Sequence, residues 1–442
     1  MIRRISIVIL VSACVMLVGF LLLAWRPAIR PIERPVAGSF STAAVAQGEV
    51  LAAEGHCAAC HTRPGGQPFA GGYGLHTPFG IIYGDNITPD PKTGIGDWSL
   101  DAFTRAMREG VARDGTHLFP AFPYYAFTKL TDDDIKALYA YLMTRPAISS
   151  TPPSNTVPFP LDIRAFQEGW KILFFRKARF HPDPSRSADW NRGAYLAEAL
   201  SDCSGCHTPR NALGGEESGH AYRGALVEGW IAPALTEANP TPVPWTEEEL
   251  FTYLRTGVTP LHGATGAIMT LVIRGGLAHP AVPDSDVQAI ARYFSGIDNA
   301  SARRNNVDAT PRDAVATSYV SSDQAETDPG AHLYTSACMS CHYNAGSTPL
   351  ASRPALGLTS SLMLAEPTNF IQVVLNGVSN TETTNNTEGA AGLVMPAYAS
   401  SLSDAEIAGL AAYLRRTSTK LPPWKDLEKK VSAVRRAGPA YR

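Results

Sequence analysis

Apolar and polar positions separate sharply at the start of this chain and then settle into a repeating order. Ile5 to Trp25 is a run of 21 uncharged, mostly apolar residues, and about 20 suffice to cross a bilayer as a helix. It follows the short basic stretch Met1-Ile2-Arg3-Arg4. The run is longer than the ~7–15 residue core of an ordinary signal peptide, and no clear small-x-small site precedes Arg26. The pattern predicts an uncleaved transmembrane anchor over 5–25, with a cleaved signal as the alternative. Arg3 and Arg4 orient its N-terminus to the cytoplasm and the remainder outside. Val11-Ser12-Ala13-Cys14 loosely resembles a lipoprotein box, but the apolar run continues beyond it, so Cys14 reads as a small apolar helix residue.

Beyond the anchor, one sequence of elements recurs three times. A helix-like stretch opens each unit, at Ala46 to Leu51, Asn191 to Leu196 and Pro329 to Tyr334. A middle helix ends in Gly-Val at Gly110-Val111, Gly257-Val258 and Gly377-Val378. A closing helix follows, running to Leu142, Phe294 and Leu414. Ile135, Leu138 and Leu142, and likewise Ile407, Leu410 and Leu414, recur at i, i+3 and i+7 and predict a buried face. Thr131 with Asp134, and Ser403 with Glu406, have capping-box spacing at the helix starts. Units one and two are more alike: Asn86-Ile87-Thr88 before Trp98 matches Ala234-Leu235-Thr236 before Trp245. The expected domains are 44–150, 185–300 and 325–418, joined by linkers 151–184 and 301–324 and followed by a basic tail, 419–442. Trp170 to Lys177 in the first linker is apolar and basic together, which suits packing against a neighbouring domain, or contact with a membrane or partner subunit. The amphipathic tail suits a membrane surface, a subunit or a solvated helix.

With 442 residues the chain suits about three domains rather than one core. Composition is ordinarily globular, and a net charge of −2 gives no basic excess to suggest nucleic acid. Six of the seven cysteines fall in one pentapeptide used three times: Cys57-Ala58-Ala59-Cys60-His61, Cys203-Ser204-Gly205-Cys206-His207 and Cys338-Met339-Ser340-Cys341-His342. C-x-x-C-H is the attachment sequence of a c-type haem, in which two thiols form thioethers and the imidazole binds iron. Zinc would want a second Cys/His pair per site, and a thioredoxin-like dithiol does not require the histidine. Three copies, 146 and then 135 residues apart, predict three covalently bound haem c groups. Their proximal ligands would be His61, His207 and His342. Covalent c-haems are attached outside the cytoplasm, in agreement with the predicted orientation.

A low-spin electron-transfer haem needs a sixth ligand, and methionine raises its potential. Met395, followed by a proline and the closing helix, is the candidate in the third unit. Met269, 12 residues beyond Gly257, is the candidate in the second; core packing is the alternative for each. The first unit differs. Twelve residues beyond Gly110 stands Phe122, which cannot bind iron. His117 is the nearest donor, although His262 occupies a similar place before Met269, and a propionate bond or a turn cap would serve as well. A five-coordinate first haem is the alternative, and Met107 and Met143 read as packing residues.

By these features the chain resembles the three-haem cytochrome c subunit of bacterial membrane-bound dehydrogenases. The matching pieces are Asp85-Asn86-Ile87-Thr88-Pro89-Asp90, Gly94-Ile95-Gly96-Asp97-Trp98, Arg113-Asp114-Gly115-Thr116-His117-Leu118, Leu138-Tyr139-Ala140-Tyr141-Leu142 and Cys206-His207-Thr208-Pro209-Arg210-Asn211. They lie in a resemblance covering nearly all of 44–418. It implies a mainly α fold of three tandem class-I cytochrome c domains after an N-terminal transmembrane helix, at the periplasmic face of the bacterial inner membrane. It also implies a catalytic dehydrogenase subunit as electron donor, and ubiquinone or the respiratory chain as acceptor. Pro120-Ala121-Phe122-Pro123-Tyr124, with Leu142-Met143-Thr144-Arg145-Pro146, is closer to cytochromes accompanying molybdopterin and 2Fe–2S subunits that oxidise aldehydes or N-heterocycles. Partners carrying PQQ (alcohol dehydrogenases) or FAD (sugar and gluconate dehydrogenases) are the alternative.

No G-x-G-x-x-G fingerprint, zinc set or nucleophile motif marks a second active site, so the expected role is electron transfer without substrate chemistry on this chain. The competing class is a haem peroxidase using an open first iron.

Overall fold

Residues 2–304, 307, 309–342, 355–379 and 394–438 are described in the structure, a computed structural model. Parts of the expected third domain (343–354 and 380–393) and the end of the tail (439–442) lie outside the described residues. The apolar run forms helix α1 (Ile2–Ala24), whose side chains are almost all exposed. By length and composition it can cross a membrane.

The chain divides into two compact units, the first made of Met1–His181 with Glu198–Asp202 and Asn211–Glu216. After α1 it contains α2 (Thr42–Glu54), α3 (Cys57–His61), α4 (Leu100–Glu109), α5 (Tyr124–Phe127), α6 (Asp132–Thr144) and α7 (Phe166–Phe174). The Ser41, Ser99 and Thr131 side chains accept hydrogen bonds from the first turns of α2, α4 and α6, satisfying otherwise orphaned backbone N–H groups. Helices α2 and α6 cross at Gly48, where a Cβ would collide with the Ala137 carbonyl and lie 2.6 Å from Tyr141 Cβ. Ile135, Leu138 and Leu142 are buried, as their spacing predicts. Between α3 and α4 lies the antiparallel hairpin of β1 (Gly74–Thr77) and β2 (Gly80–Tyr83).

The second unit holds Pro182–Ala197, Cys203–Arg210 and Glu217–Arg442, and so carries the other two C-x-x-C-H copies. Its first part comprises α8 (Ala188–Tyr195), α9 (Cys203–His207), α10 (Glu247–Thr256), α11 (Ala267–Val272) and α12 (Asp284–Ile297), with a hairpin of β3 (Ala225–Val227) and β4 (Trp230–Ala232). Helix α8 crosses α12 at Gly193, where a Cβ would collide with the Ala289 carbonyl and lie 3.0 Å from Tyr293 Cβ. In the second part the helix Pro329–Leu333 crosses Asp404–Ser418 at Gly330, whose Cβ would lie 2.5 Å from Tyr413 Cβ. The same glycine-on-aromatic crossing thus recurs three times. Asn369 joins the two parts, its amide bonding both the N–H (2.7 Å) and the carbonyl (2.8 Å) of Ile231 in β4.

The expected linkers carry helices of their own: α7 in the first, and Ala300–Arg303, Thr310–Ala316 and Ser322–Thr327 in and around the second. The tail helix Leu427–Ala437 packs into the third core through Val431, beside buried Trp424.

Candidate haem-binding sites

In α3 the spacing i, i+3, i+4 brings the Cys57 and Cys60 thiols and the His61 imidazole to one helix face, and α9 does the same with Cys203, Cys206 and His207. The residue before each helix is left-handed although not glycine: His56 at φ 39° and Asp202 at φ 44°. Such conformations are costly and cluster at functional sites. The third motif begins differently, with Cys338 ending a π-helical turn, Tyr334–Cys338. None of the seven cysteines is in a disulfide.

A proximal imidazole must present one nitrogen lone pair to iron while the other nitrogen is held as a donor. His61 Nδ1 lies 2.6 Å from the Asp85 carbonyl oxygen, and His207 Nδ1 lies 2.7 Å from that of Pro233. Each Nδ1–H donates to the carbonyl, which leaves Nε2 as the basic nitrogen. The carbonyl is itself fixed. Next to Asp85, the Asn86 side chain donates to Ile148 O (2.7 Å) and Thr93 Oγ1 (3.0 Å) and accepts from the Thr88 N–H (2.9 Å) and hydroxyl (2.7 Å). This gives the Asp85-Asn86-Ile87-Thr88 motif a physical task, to hold the loop that orients His61. Gly84 sits so close to the Cys60 carbonyl that a Cβ would collide with it. Paired thiols outside any disulfide and a tautomer-locked imidazole fit covalent haem.

Met395, the candidate second ligand of the third unit, lies in β8 (Val394–Met395), opposite Val378 of β7 (Val378–Ser379), and packs on the third core together with Cys338. Tyr398 Oη donates to the Ala337 carbonyl (3.1 Å), tying the methionine loop to the attachment turn. Met269 is half-buried on α11, beyond the hairpin of β5 (Val258–Thr259) and β6 (Gly263–Ala264). His262 has another task. Its ring stacks on Trp245 at 3.6 Å, with Nε2 at 3.4 Å from Glu249 and Nδ1 at 3.3 Å from Thr241 Oγ1. Although burial opposes ionisation of Glu249, hydrogen bonds from His262, Arg304 and the Thr246 N–H hold its carboxyl well below the usual carboxylate range.

In the first unit, Phe122 packs edge-on against Phe127 with centroids 5.3 Å apart. Met107 and Met143 are buried in α4 and α6. His117 is buried as well, but both ring nitrogens have partners within the protein: Nε2 lies 2.6 Å from the Ala24 carbonyl, and Nδ1 lies 2.9 Å from Lys171 Nζ. Glu168, paired with Arg26 at 2.8 Å, stands 3.5 Å from Nδ1. Burial, and then the Lys171 charge, lower the His117 pKa against the opposing pull of the Ala24 carbonyl. Burial likewise lowers the Lys171 ammonium to about 8. This cluster was not visible in the sequence, where its members are scattered from 24 to 171. The carbonyls of Asp85 and Pro233 were equally hidden, because a backbone acceptor leaves no side-chain signature.

Residues 45–146 match the cytochrome c family, and residues 325–414 match the family described as cytochrome C oxidase, cbb3-type, subunit III. Over 417 residues the chain is 42% identical to a nicotinate dehydrogenase subunit of Pseudomonas putida, covering 93% of this chain and 34% of that one, so it spans about a third of that relative. It is 34% identical to the fructose dehydrogenase cytochrome subunit of Gluconobacter japonicus, over 91% of this chain and 85% of the relative. It is 36% identical to the gluconate 2-dehydrogenase cytochrome c subunit of Pantoea cypripedii, over 84% and 85%. With its attachment motifs and braced imidazoles, the chain belongs to the family of dehydrogenase cytochrome c subunits and is an electron-transfer cytochrome with covalently bound haem c.

Proposed function

We propose that this chain carries three haems, anchored to the bacterial inner membrane by α1 with its domains on the periplasmic face, and passes electrons from a catalytic dehydrogenase subunit to ubiquinone or the respiratory chain. The recurrence of one arrangement supports the number three: an opening helix crossing a closing helix at Gly48, Gly193 and Gly330, each followed by C-x-x-C-H. When bound, haem supplies one-electron transfer. The protein's part would be to hold each haem at both levels: Cys57 and Cys60, Cys203 and Cys206, and Cys338 and Cys341 would form the thioethers, His61, His207 and His342 would bind the three irons, and Met269 and Met395 would be the second ligands of the second and third. His117, with both nitrogens engaged, is better suited to bracing the end of α1 than to the first iron.

The preferred electron donor is a molybdopterin subunit with a 2Fe–2S partner that oxidises an N-heterocycle or aldehyde. The 42% identity to a nicotinate dehydrogenase subunit supports it, since nicotinate is an N-heterocycle. Purification in detergent from the native membrane tests both parts. Haem content should be three per chain, and the companion should contain molybdenum and reduce the haems when given an N-heterocyclic acid. Two haems per chain would sink the stoichiometry; a flavin or quinoprotein companion would sink the choice of donor.

A further inference from the structure

Helix α7 is built inside out. Its polar residues Gln167, Glu168 and Lys171 are buried, whereas Phe166, Ile172 and Leu173 face outward; Lys171 is 6% exposed and Leu173 60%. A helix bounded by water on its outer side shows the opposite order. The segment leading into it adds exposed Phe159, Leu161 and Ile163. The two charged groups among the inward residues are engaged. Lys171 Nζ donates to the Glu109 carbonyl (2.6 Å), the Gly110 carbonyl (2.8 Å) and His117, and Glu168 pairs with Arg26. The outward apolar face is therefore no accident of a loose loop: the helix is held in this orientation by buried bonds.

Its position says what covers that face. Phe166 meets Phe20 of α1 with ring centroids 6.1 Å apart, and Gly169 faces the same ring. Phe20 lies four residues before the end of α1, about 6 Å inside it at 1.5 Å per residue. Exposed Trp25 marks that end, as aromatic residues mark bilayer interfaces. Interfacial helices bury their apolar face about 5–10 Å deep, so α7 meets the span at the depth such a helix occupies.

We infer that Phe159–Phe174 forms a second membrane contact, in which α7 lies in the interfacial layer beside the span and presents Phe166, Ile172 and Leu173 to lipid. The inference rests on α1 being a membrane span. A protein cover is disfavoured because it too would have to reach the level of Phe20. Two contacts at an angle to each other restrain tilt and rotation of the first unit, which a single span does not.

The test uses the haem-loaded full chain in nanodiscs of phosphatidylethanolamine and phosphatidylglycerol, doped with two photoreactive lipids. One carries a diazirine near the headgroup, the other near the acyl-chain end; adducts are mapped by mass spectrometry. Headgroup-proximal adducts are expected on the peptide containing Phe166–Phe174, and chain-end adducts on the middle of α1. The double variant Ile172→Glu, Leu173→Glu, both exposed positions, should lose the α7 adduct while keeping the α1 adduct and the haem spectrum. Adducts on α1 alone would overturn the inference and leave the anchor standing, as would α7 adducts that persist in the double variant. Adducts on neither helix would remove the anchor, and the inference with it.

Discussion

Lys171 Nζ donates a hydrogen bond to Nδ1 of His117 across 2.9 Å, while the opposite nitrogen of that ring faces the Ala24 carbonyl at 2.6 Å. The arrangement fixes the tautomer, because Nε2 must carry the proton it gives to Ala24 and Nδ1 must accept from the ammonium. No lone pair is left for a metal. The burial that lowers the imidazole pKa keeps the ring neutral beside the lysine. His117 thereby joins the end of α1 to α7, a structural task that its place in the sequence, near a missing methionine, disguised.

Replacing His117 by alanine should leave the iron ligation of the first haem unchanged. The cost should fall on stability, about 2–4 kcal/mol for breaking a buried polar cluster. Near-infrared magnetic circular dichroism of the oxidised protein reads the ligation, and thermal unfolding in detergent reads the stability. A high-spin signal gained only in the variant would restore His117 as the sixth ligand.

The first haem should respond to Phe122→Met instead. Position 122 corresponds to Met269 in the second repeat, each standing 12 residues beyond the glycine that ends the middle helix. A thioether there should raise the potential of the first haem on the order of 0.1 V, within the roughly 0.8 V range set by axial ligands. Potentiometric titration followed at the α-band measures it. Carbon monoxide binding by the reduced wild type, lost in Phe122→Met, would show that the site is otherwise open, and peroxide turnover by the wild type alone would favour the peroxidase class.

The sequence announced the attachment motifs and the buried faces because both depend on local spacing. Cys57, Cys60 and His61 at i, i+3, i+4, and Ile135, Leu138 and Leu142 at i, i+3, i+7, are statements about one helix. What it could not announce depends on distant partners. Gly48 gives no local sign that it faces Tyr141, and the carbonyl that orients His61 belongs to Asp85, 24 residues away. The hairpins β1–β2 and β3–β4 went unread because three or four residues per strand are too few for alternation to register. Helix α7 was half legible. Trp170 to Lys177 stood out as apolar and basic together, but only the structure shows Lys171 turned inward and Leu173 outward.

The helix crossings should be intolerant of a single methyl group. Gly48→Ala and Gly193→Ala would each drive a Cβ into a backbone carbonyl, of Ala137 and Ala289 respectively. Backbone cannot step aside as a side-chain tip can, so each substitution should cost about 1–3 kcal/mol. Gly409→Ala, where a Cβ meets nothing within 4 Å, is the control and should be neutral or slightly stabilising. Guanidinium unfolding of the haem-loaded chain, followed by recovery of tryptophan fluorescence, distinguishes the three. Equal midpoints would show that the crossings are loose.

Glu249 should make the second unit acid-sensitive in a way one substitution can isolate. Its carboxylate accepts from the Thr246 N–H (2.9 Å) and from Arg304 Nη1 (2.7 Å), and it faces His262 Nε2 at 3.4 Å. These partners outweigh burial and hold the folded pKa below that of the unfolded chain. For an acid so depressed, the unfolded chain takes up the proton first. The associated stability is present above the unfolded value, near 4.5, and is lost as pH falls toward the folded value. Glu249→Gln should cost about 2–3 kcal/mol at pH 7, less than for a fully buried pair because both Glu249 and Arg304 retain some exposure. The gap between wild type and variant should then close as pH drops below 4.5. Unfolding midpoints measured from pH 7 downward, read through the emission of Trp245 and its neighbours, test the sign: a gap that widens toward acid would mean that the carboxyl is protonated in the folded protein.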